Sequence, residues 1–367
     1  MKGRAIIISG GGTGGHIYPA LAVGRKLQER APDLKLTYVG SSRTIERTLM
    51  EKHRVTFIPM KIEGLKGKGL KSFKSLAILP LSFFKSLSIL FRLRPELVIG
   101  VGGFSSGPIV LLASWLKIPT LILEQNALPG FTNRFLIRWA RKAVVAFQSS
   151  LPLFKGKGVY LGNPVREEFY SLPPKEGDFR MTLLIFGGSQ GSQFLNQAVL
   201  STLPLLRARR NLLRIYHQTG EKDFETVQKS YQENGFEEAV TAPYFYDMPS
   251  IFQKADLIIS RAGATTIAEL IAARKASLLI PFAQAADNHQ VINARELEEV
   301  HGTELIQEKD FTPELFSRRI HFYVEHRETL SAMGKNLARL RTEKVAEKIV
   351  DLCFELMGNK AEEGTAW

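Results

Sequence analysis

Nine short runs of apolar and β-branched residues, at 5–9, 36–39, 97–101, 120–124, 143–147, 182–186, 212–216, 256–260 and 277–281, punctuate this 367-residue chain. They are closed by turn-forming residues such as Gly, Pro or Asn and followed by stretches with helical periodicity. Strands alternating with helix-length segments need crossover connections, so the chain is restricted to parallel sheets covered by helices. The pattern breaks once, in "LGNPVREEFYSLPPKEGDFR", where Asn163-Pro164 and Pro173-Pro174 interrupt it before a new strand at Met181. Two doubly wound α/β domains are therefore expected, over 1–163 and 164–340. The last amphipathic stretch, about 328–358 and chiefly the segment 341–367, is long enough to pack back on the first domain before a short tail.

Glycine-rich turns follow several of these strands. Gly10-x-Gly12-x-x-Gly15 matches the dinucleotide fingerprint of strand, glycine turn and helix N-terminus. A nicotinamide site also wants an acid at the tip of the second strand, and "LTYVGSSR" has none there, which disfavours a dinucleotide and leaves tight strand-to-helix packing as the structural alternative. Gly187-x-Ser189-x-Gly191 fits the nucleophile elbow of α/β-hydrolases, but so does Gly103-x-Ser105-x-Gly107, so the pattern discriminates poorly. Ser189 reads better as a hydroxyl donor to a phosphate at the start of the next helix. In "ADLIISRAGATTIAEL", Glu269 is either a partner of the helix dipole or a bidentate acceptor for vicinal hydroxyls such as those of a ribose. "LLIPFAQAADNHQVINA" opens another helix with Gln284, Asp287, Asn288, His289 and Gln290 at the C-terminal end of a strand, where open α/β sheets bind ligands.

A P-loop, a zinc spacing of Cys and His, and an Asp-x-Asp pair are all missing from the sequence. A diphosphate would then be neutralised by backbone, helix dipole and arginine, with Arg166 of "GNPVR" the candidate. No cofactor is expected; a divalent cation would at most stimulate, without a protein metal site. Cys353 is the single cysteine, which excludes a disulfide framework and suits a reducing compartment. The apolar run before the first glycines is too short for a signal peptide, so an intracellular protein is expected. A net charge of +13 points to an anionic partner. Eight Lys or Arg against one Glu fall within 61–94, "KIEGLKGKGLKSFKSLAILPLSFFKSLSILFRLR". Leu76, Leu79 and Phe83, flanked by Lys74 and Lys85, read as an interfacial anchor on an anionic membrane. Leu87, Leu90 and Phe91 read as core. Nucleic acid is disfavoured because stacking aromatics are not interleaved with the basic residues.

Taken together, "GGTGGHIYPALA", "GGFSSGP", "EQNALPGFTN", "GNPVR", "GGSQG", "RAGATTIAE" and "DNHQVINA" resemble, in order, the motifs of the MurG family. These bacterial transferases move N-acetylglucosamine from UDP-N-acetylglucosamine to undecaprenyl-linked lipid I, giving lipid II for peptidoglycan. The resemblance implies a GT-B architecture, two Rossmann-like domains with the active site in the cleft between them. It implies that Gly188, Ser189 and Gln190 hold the donor diphosphate with Arg166, and that Phe245 offers backbone contacts to uracil. Ala264, Thr265, Thr266, Ile267 and Ala268 would line the donor site, Glu269 would grip the ribose, and Gln290 with His289 would read the sugar. Thr13, Gly14, Gly15 and His16 would face donor sugar and acceptor, with Asn126 nearby. Gly102, Gly103, Ser106 and Gly107 would cradle the acceptor pyrophosphate; a bulkier residue than Ser105 would be usual there.

The implied chemistry is inverting transfer to the acceptor 4-hydroxyl, with a β(1→4) link. His16, whose ordinary pKa lies near 6.5, is the candidate general base. The implied location is peripheral, on the cytoplasmic face of the cell membrane, beside other cell-wall synthesis proteins. Competing readings are a GT-B transferase with another lipid acceptor, a UDP-sugar-binding protein without turnover, and a serine hydrolase.

Overall fold

The computed structural model describes residues 4–11, 14–42, 44–60, 72–175, 177 and 179–363, with the side chains of Gly14, Thr44, Ile45, Leu49, 72–79 and 359–363 outside the description. Two compact units result: Met1–Val165 together with Lys344–Trp367, and Arg166–Glu343.

In the first unit, seven strands form one parallel sheet: β1 (Ala5–Ser9), β2 (Lys35–Ser41), β3 (Phe57–Met60), β4 (Leu97–Gly100), β5 (Thr120–Glu124), β6 (Lys142–Val145) and β7 (Gly158–Tyr160). Their order is β3-β2-β1-β4-β5-β6-β7. Ile6, Ile7 and Ile8 of β1 are buried on both faces, as continuous β-branched runs are in a sheet covered by helices. The helices are α1 (Gly14–Arg30), α2 (Thr44–Lys52), α3 (Ser72–Leu93), α4 (Ser106–Trp115) and α5 (Phe131–Leu136). In the second unit, β8 (Met181–Phe186), β9 (Leu213–Gln218), β10 (Val240–Ala242), β11 (Leu257–Ser260), β12 (Ser277–Leu279) and β13 (Thr303–Leu305) pair in parallel in the order β10-β9-β8-β11-β12-β13. Its helices are α6 (Gln193–Leu206), α7 (Phe224–Glu233), α8 (Met248–Lys254), α9 (Ala264–Ala273), α10 (His289–Glu299), α11 (Pro313–Glu325) and α12 (Arg327–Leu337).

The C-terminal helix α13 (Val345–Glu363) belongs to the first unit. Val345, Ile349, Val350, Cys353, Leu356 and Met357, at helical spacing, join the core built on Ile6 and Ile8. Arg30 stacks on Phe354 at 5.0 Å, and Lys26 pairs with Glu347 at 3.5 Å. The packing back begins only at Lys344, because Leu330 and Met333 of α12 complete the core of the second unit.

Helix α3 continues through Pro80 and corrects the reading of its faces. Phe83 packs on the core beside Ile89 and Leu90, whereas Phe91, expected inside, is exposed. Leu81, Phe84 and Phe91, spaced i, i+3, i+10, are 68%, 72% and 61% exposed and form the outer face. Lys85 is exposed and donates from Nζ to the Pro59 carbonyl at 2.7 Å, tying α3 to β3. Lys74, Leu76 and Leu79 have side chains outside the described set.

Candidate active site

Each sheet has one place where consecutive connections leave in opposite directions, between β1 and β4 in the first unit and between β8 and β11 in the second. Such switch points, at the C-terminal ends of the strands, are where doubly wound sheets open a crevice. The glycine-rich motifs sit there.

In the first unit the turn after β1 and the turn after β4 interlock. Gly103 has φ +78°, and a Cβ on it would lie 2.3 Å from the Gly11 carbonyl oxygen. Gly102 has φ +92° and faces the His16 ring, which a Cβ would approach to 3.2 Å at Cε1 and 3.4 Å at Nε2. His16, in the first turn of α1 with Gly14 and Gly15, thus lies directly over the "GGFSSGP" turn. Thr13 lies outside the described residues. Ser106 Oγ donates to the Gly103 carbonyl at 2.9 Å, fixing the turn where α4 begins, and Gly107 N donates to the Phe104 carbonyl at 3.3 Å. Ser105 is buried, and its carbonyl accepts from Ser9 Oγ at 3.2 Å, so its side chain takes no part in an open surface.

Two buried carboxyls shape this half. Glu46 of α2 accepts from the Ser41 amide at 3.1 Å and from the Ser41 hydroxyl. A Cβ on Gly11 or on Gly40 would stand 2.0 Å from its Oε1. That carboxyl occupies the space beside the first turn, which further disfavours a dinucleotide there. Glu124, at the end of β5, accepts from Asn126 N (3.0 Å), Asn126 Nδ2 (3.3 Å), Gly130 N (3.0 Å) and Asn133 Nδ2 (2.9 Å). Burial pushes its carboxyl above the ordinary range, against the pull of those donors. Asn126 is thereby oriented by Glu124, and Gln125 Nε2 links the same loop to the Val101 carbonyl at 3.2 Å, beside Gly102.

In the second unit the turn from Gly187 to Ser192 is similarly close-packed. Gly188 and Gly191 have φ +95° and +75°, and a Cβ on Gly191 would meet the Thr219 carbonyl oxygen at 2.1 Å. Ser189 and Gln190 are exposed on the turn. Gln218 Nε2 donates to the Gly188 carbonyl at 2.9 Å, while Gln218 Oε1 accepts from Phe245 N at 2.8 Å. One buried side chain therefore joins the glycine turn at Gly188 to the "YFYD" loop. A uracil contact through the Phe245 amide would require Gln218 to yield it. His217, held between Asn196 Oδ1 and Tyr231 OH at 3.0 Å each, is pushed down to about 3 by burial and stays neutral. His289 donates from Nδ1 to the Ala286 carbonyl at 2.7 Å. Among the described residues no histidine is hydrogen-bonded to Ser189.

Helix α9 starts at Ala264 with Thr265 and Thr266 in its first turn. Thr265 Oγ1 is buried without a hydrogen-bond partner among the described residues. Ile267 is fully buried in the core and can line a site with its backbone alone; Ala268 is partly exposed. Glu269, one turn on, has a side chain 14% exposed and pairs with Arg166 at 3.8 Å. Burial raises its pKa to about 7, opposed by the Arg166 charge. Arg166, 40% exposed, stacks on Phe169 at 5.0 Å. Asp287 and Asn288 adopt consecutive left-handed conformations, φ +52° and +58°, before α10. Behind them Gln290 Oε1 accepts from Phe282 N at 3.0 Å. Glu46, Glu124, Gln218 and Arg261 escaped the sequence reading. A charge ending an otherwise apolar strand, as in "TLILE" and "LIISR", was the available signal for two of them. Among the described residues no group of three or more His, Cys, Asp and Glu is arranged to hold a metal ion.

Comparison with known proteins follows the same division. Residues 6–145 match the glycosyltransferase family 28 N-terminal domain and 182–349 its C-terminal domain. An Anaeromyxobacter protein named UDP-N-acetylglucosamine--N-acetylmuramyl-(pentapeptide) pyrophosphoryl-undecaprenol N-acetylglucosamine transferase is 41% identical over 356 residues, covering 96% of this chain and 93% of the relative. One of the same name from Myxococcus xanthus is 40% identical with the same coverage. The crystal structure of Acinetobacter baumannii MurG superposes with a TM-score of 0.76 at 29% identity, over 95% of this chain and 98% of that one. A calicheamicin glycosyltransferase, at 13% identity and TM-score 0.67 over 98% of this chain and 99% of its own, shares the fold.

Proposed function

The chain belongs to the MurG family of glycosyltransferases, and from that membership we infer that it transfers N-acetylglucosamine from UDP-N-acetylglucosamine to lipid I, forming lipid II. The observation that carries the donor side is the Arg166–Glu269 pair at the switch point of the second sheet, next to an α9 N-terminus. We assign the donor to the second unit and the acceptor to the first. Glu269 accepts from the two ribose hydroxyls, and Arg166 moves from Glu269 to the diphosphate. The exposed Ser189 hydroxyl, the backbone of Gly188 and Gln190 and the N-terminus of α6 hold the same phosphates. As the sugar–phosphate bond breaks, negative charge grows on the β-phosphate, and these donors stabilise it without reorganising. Gln290, with its Oε1 committed to Phe282, presents its amide N–H groups to sugar hydroxyls, and His289 supports that end of α10.

In the first unit, Gly102, Gly103, Ser106 and Gly107 form the cradle for the acceptor pyrophosphate at the start of α4. His16 lies over that cradle, where the acceptor hydroxyl must lose its proton, and Asn126 is held toward the same strand ends by Glu124. His16 takes the proton while the oxygen attacks the anomeric carbon from the face opposite UDP. Since Arg166 and two helix N-termini can neutralise the diphosphate, a protein-bound metal is not part of this scheme.

No described helix is long and apolar enough to cross a membrane. The exposed row Leu81, Phe84 and Phe91 on α3 supports peripheral contact with an anionic bilayer, on the cytoplasmic face that presents lipid I. The test is transfer of labelled sugar from UDP-N-acetylglucosamine to a short-chain lipid I analogue, beside UDP-galactose with diacylglycerol. Product in the first reaction alone is expected; product in the second alone would replace this acceptor with another lipid.

A further inference from the structure

Arg261, at the end of β11, is 7% exposed and touches three separate segments of the second unit. Its Nε donates to Ser192 Oγ at 3.0 Å. Its Nη1 donates to the carbonyls of Ile280 (2.9 Å) and Pro281 (3.1 Å), and it forms an ion pair with Glu308 at 2.5 Å. Phe194 and Phe282 stack near its plane, at 5.4 and 5.5 Å. Ser192 is the N-cap of α6, accepting from Leu195 N at 3.3 Å, and it backs directly onto Gly187, where a Cβ would lie 2.3 Å from its own. On the other side, Phe282 is the residue whose amide fixes Gln290. One guanidinium thus ends at the diphosphate turn in one direction and at the support of the sugar-facing glutamine in the other.

Resting on the donor-site reading above, we propose that Arg261, anchored by Glu308, is a positioning residue that sets the diphosphate turn and the Gln290 end of α10 in register, so that sugar discrimination depends on Ser192. Stability alone gives a poor account of the arrangement. A buried arginine–glutamate pair rarely outperforms apolar residues of similar volume, because desolvation offsets its attraction. What its planar fork supplies is fixed angles between its partners. Those partners come from residues 192, 280–281 and 308, and two of the three segments carry groups assigned to the donor. Arg261 itself is too enclosed to be a phosphate ligand.

The inference separates from a structural role through substitutions remote from the sugar. Ser192→Ala removes a hydroxyl on the diphosphate side, and Glu308→Gln removes the anchoring charge. Ile320→Val, a core truncation in α11 of the same unit, serves as the stability control. The readout is the ratio of kcat/KM for UDP-N-acetylglucosamine over its C4 epimer UDP-N-acetylgalactosamine, with UDP affinity by calorimetry. Ser192→Ala should lower that ratio at least threefold, Arg261→Lys at least as much, and Ile320→Val should leave it unchanged. Ser192→Ala combined with Glu308→Gln should be no worse than the more severe single change, since both act through Arg261. An unaltered ratio in Ser192→Ala, an equal fall in Ile320→Val, or multiplying effects in the double variant would each overturn the proposal. So would an unaltered protein that binds UDP yet uses both sugars alike. Failure of the unaltered protein to bind UDP would instead remove the donor-site reading, and this inference with it.

Discussion

In the proposed donor site, Glu269 makes donor binding a function of pH. With its carboxyl raised to about 7 by burial, only about one site in eleven is ionised at pH 6 and about ten in eleven at pH 8. A carboxylate accepting from two ribose hydroxyls must be ionised, so affinity should rise with pH, by about tenfold between 6 and 8, and level off above. UDP-N-acetylglucosamine is the ligand to use, because its diphosphate is esterified at both ends and does not titrate in that window. Calorimetry at constant ionic strength should also show protons released on binding at pH 6. Glu269→Gln should bind ten- to hundredfold more weakly at pH 8, the worth of hydrogen bonds to a charged acceptor at ~1.5–3 kcal/mol, and its affinity should be flat with pH. The same group predicts a stability effect of opposite sense. Its folded value lies above the ordinary 4.5, so between those values the folded protein holds a proton that the unfolded chain has released. That stability is complete below about pH 4.5 and is lost as pH rises through 7, by ~3 kcal/mol at most. Glu269→Gln should therefore raise Tm at pH 8 while weakening binding. A wild-type affinity flat from pH 6 to 8, or a glutamine variant that keeps the pH dependence, would refute the reasoning.

Three further outcomes are expected. His16→Ala should lower kcat by about a hundredfold or more, the usual scale of general-base catalysis, with donor affinity within twofold; a loss under tenfold in single-turnover transfer would limit His16 to binding. Serine at Leu81, Phe84 and Phe91 together should release the protein from anionic vesicles in a flotation assay and leave UDP binding intact, and undiminished flotation would exclude this face. Chelation of divalent cations with EDTA should leave turnover within about threefold, because the proposed scheme gives the diphosphate charge to arginine and helix termini; a complete loss restored by magnesium would contradict that scheme.

The interior of both sheets was legible because buried parallel strands are continuous apolar runs. The four strands that escaped, Phe57–Met60, Gly158–Tyr160, Val240–Ala242 and Thr303–Leu305, are the outermost of the two sheets. Edge strands need only one neighbour and are short, so three or four residues such as "VTA" or "TEL" leave no periodic trace. Helix α3 fails differently: its apolar residues cover most of its circumference, and composition alone could not say that Phe83 turns in and Phe91 out. The glycine turns were legible as close-packed turns at the strand ends. Their supports were not, because each joins residues far apart in sequence: Gln218 reaches both Gly188 and Phe245, and Arg261 reaches both Ser192 and Glu308.

Around the donor site proposed at the C-terminal ends of the second sheet, several buried groups are less well paired than those at its N-terminal ends. At the N-terminal ends of the strands, Lys275 is pushed down to about 8 by burial and donates to the carbonyls of Gln253 and Ala255. Nearby, Asp256 accepts from Lys175 and from the Thr182 amide. Those charges close off the sheet bottom through bonds to the backbone and to one another. At the C-terminal ends, a carboxyl is held near neutrality beside an arginine 3.8 Å away, a threonine hydroxyl is buried unpaired, and two left-handed residues open a helix. Each of these costs folding free energy that better pairing or regular backbone would recover. The shortfall at the C-terminal ends is what a ligand carrying hydroxyls and phosphates would complete.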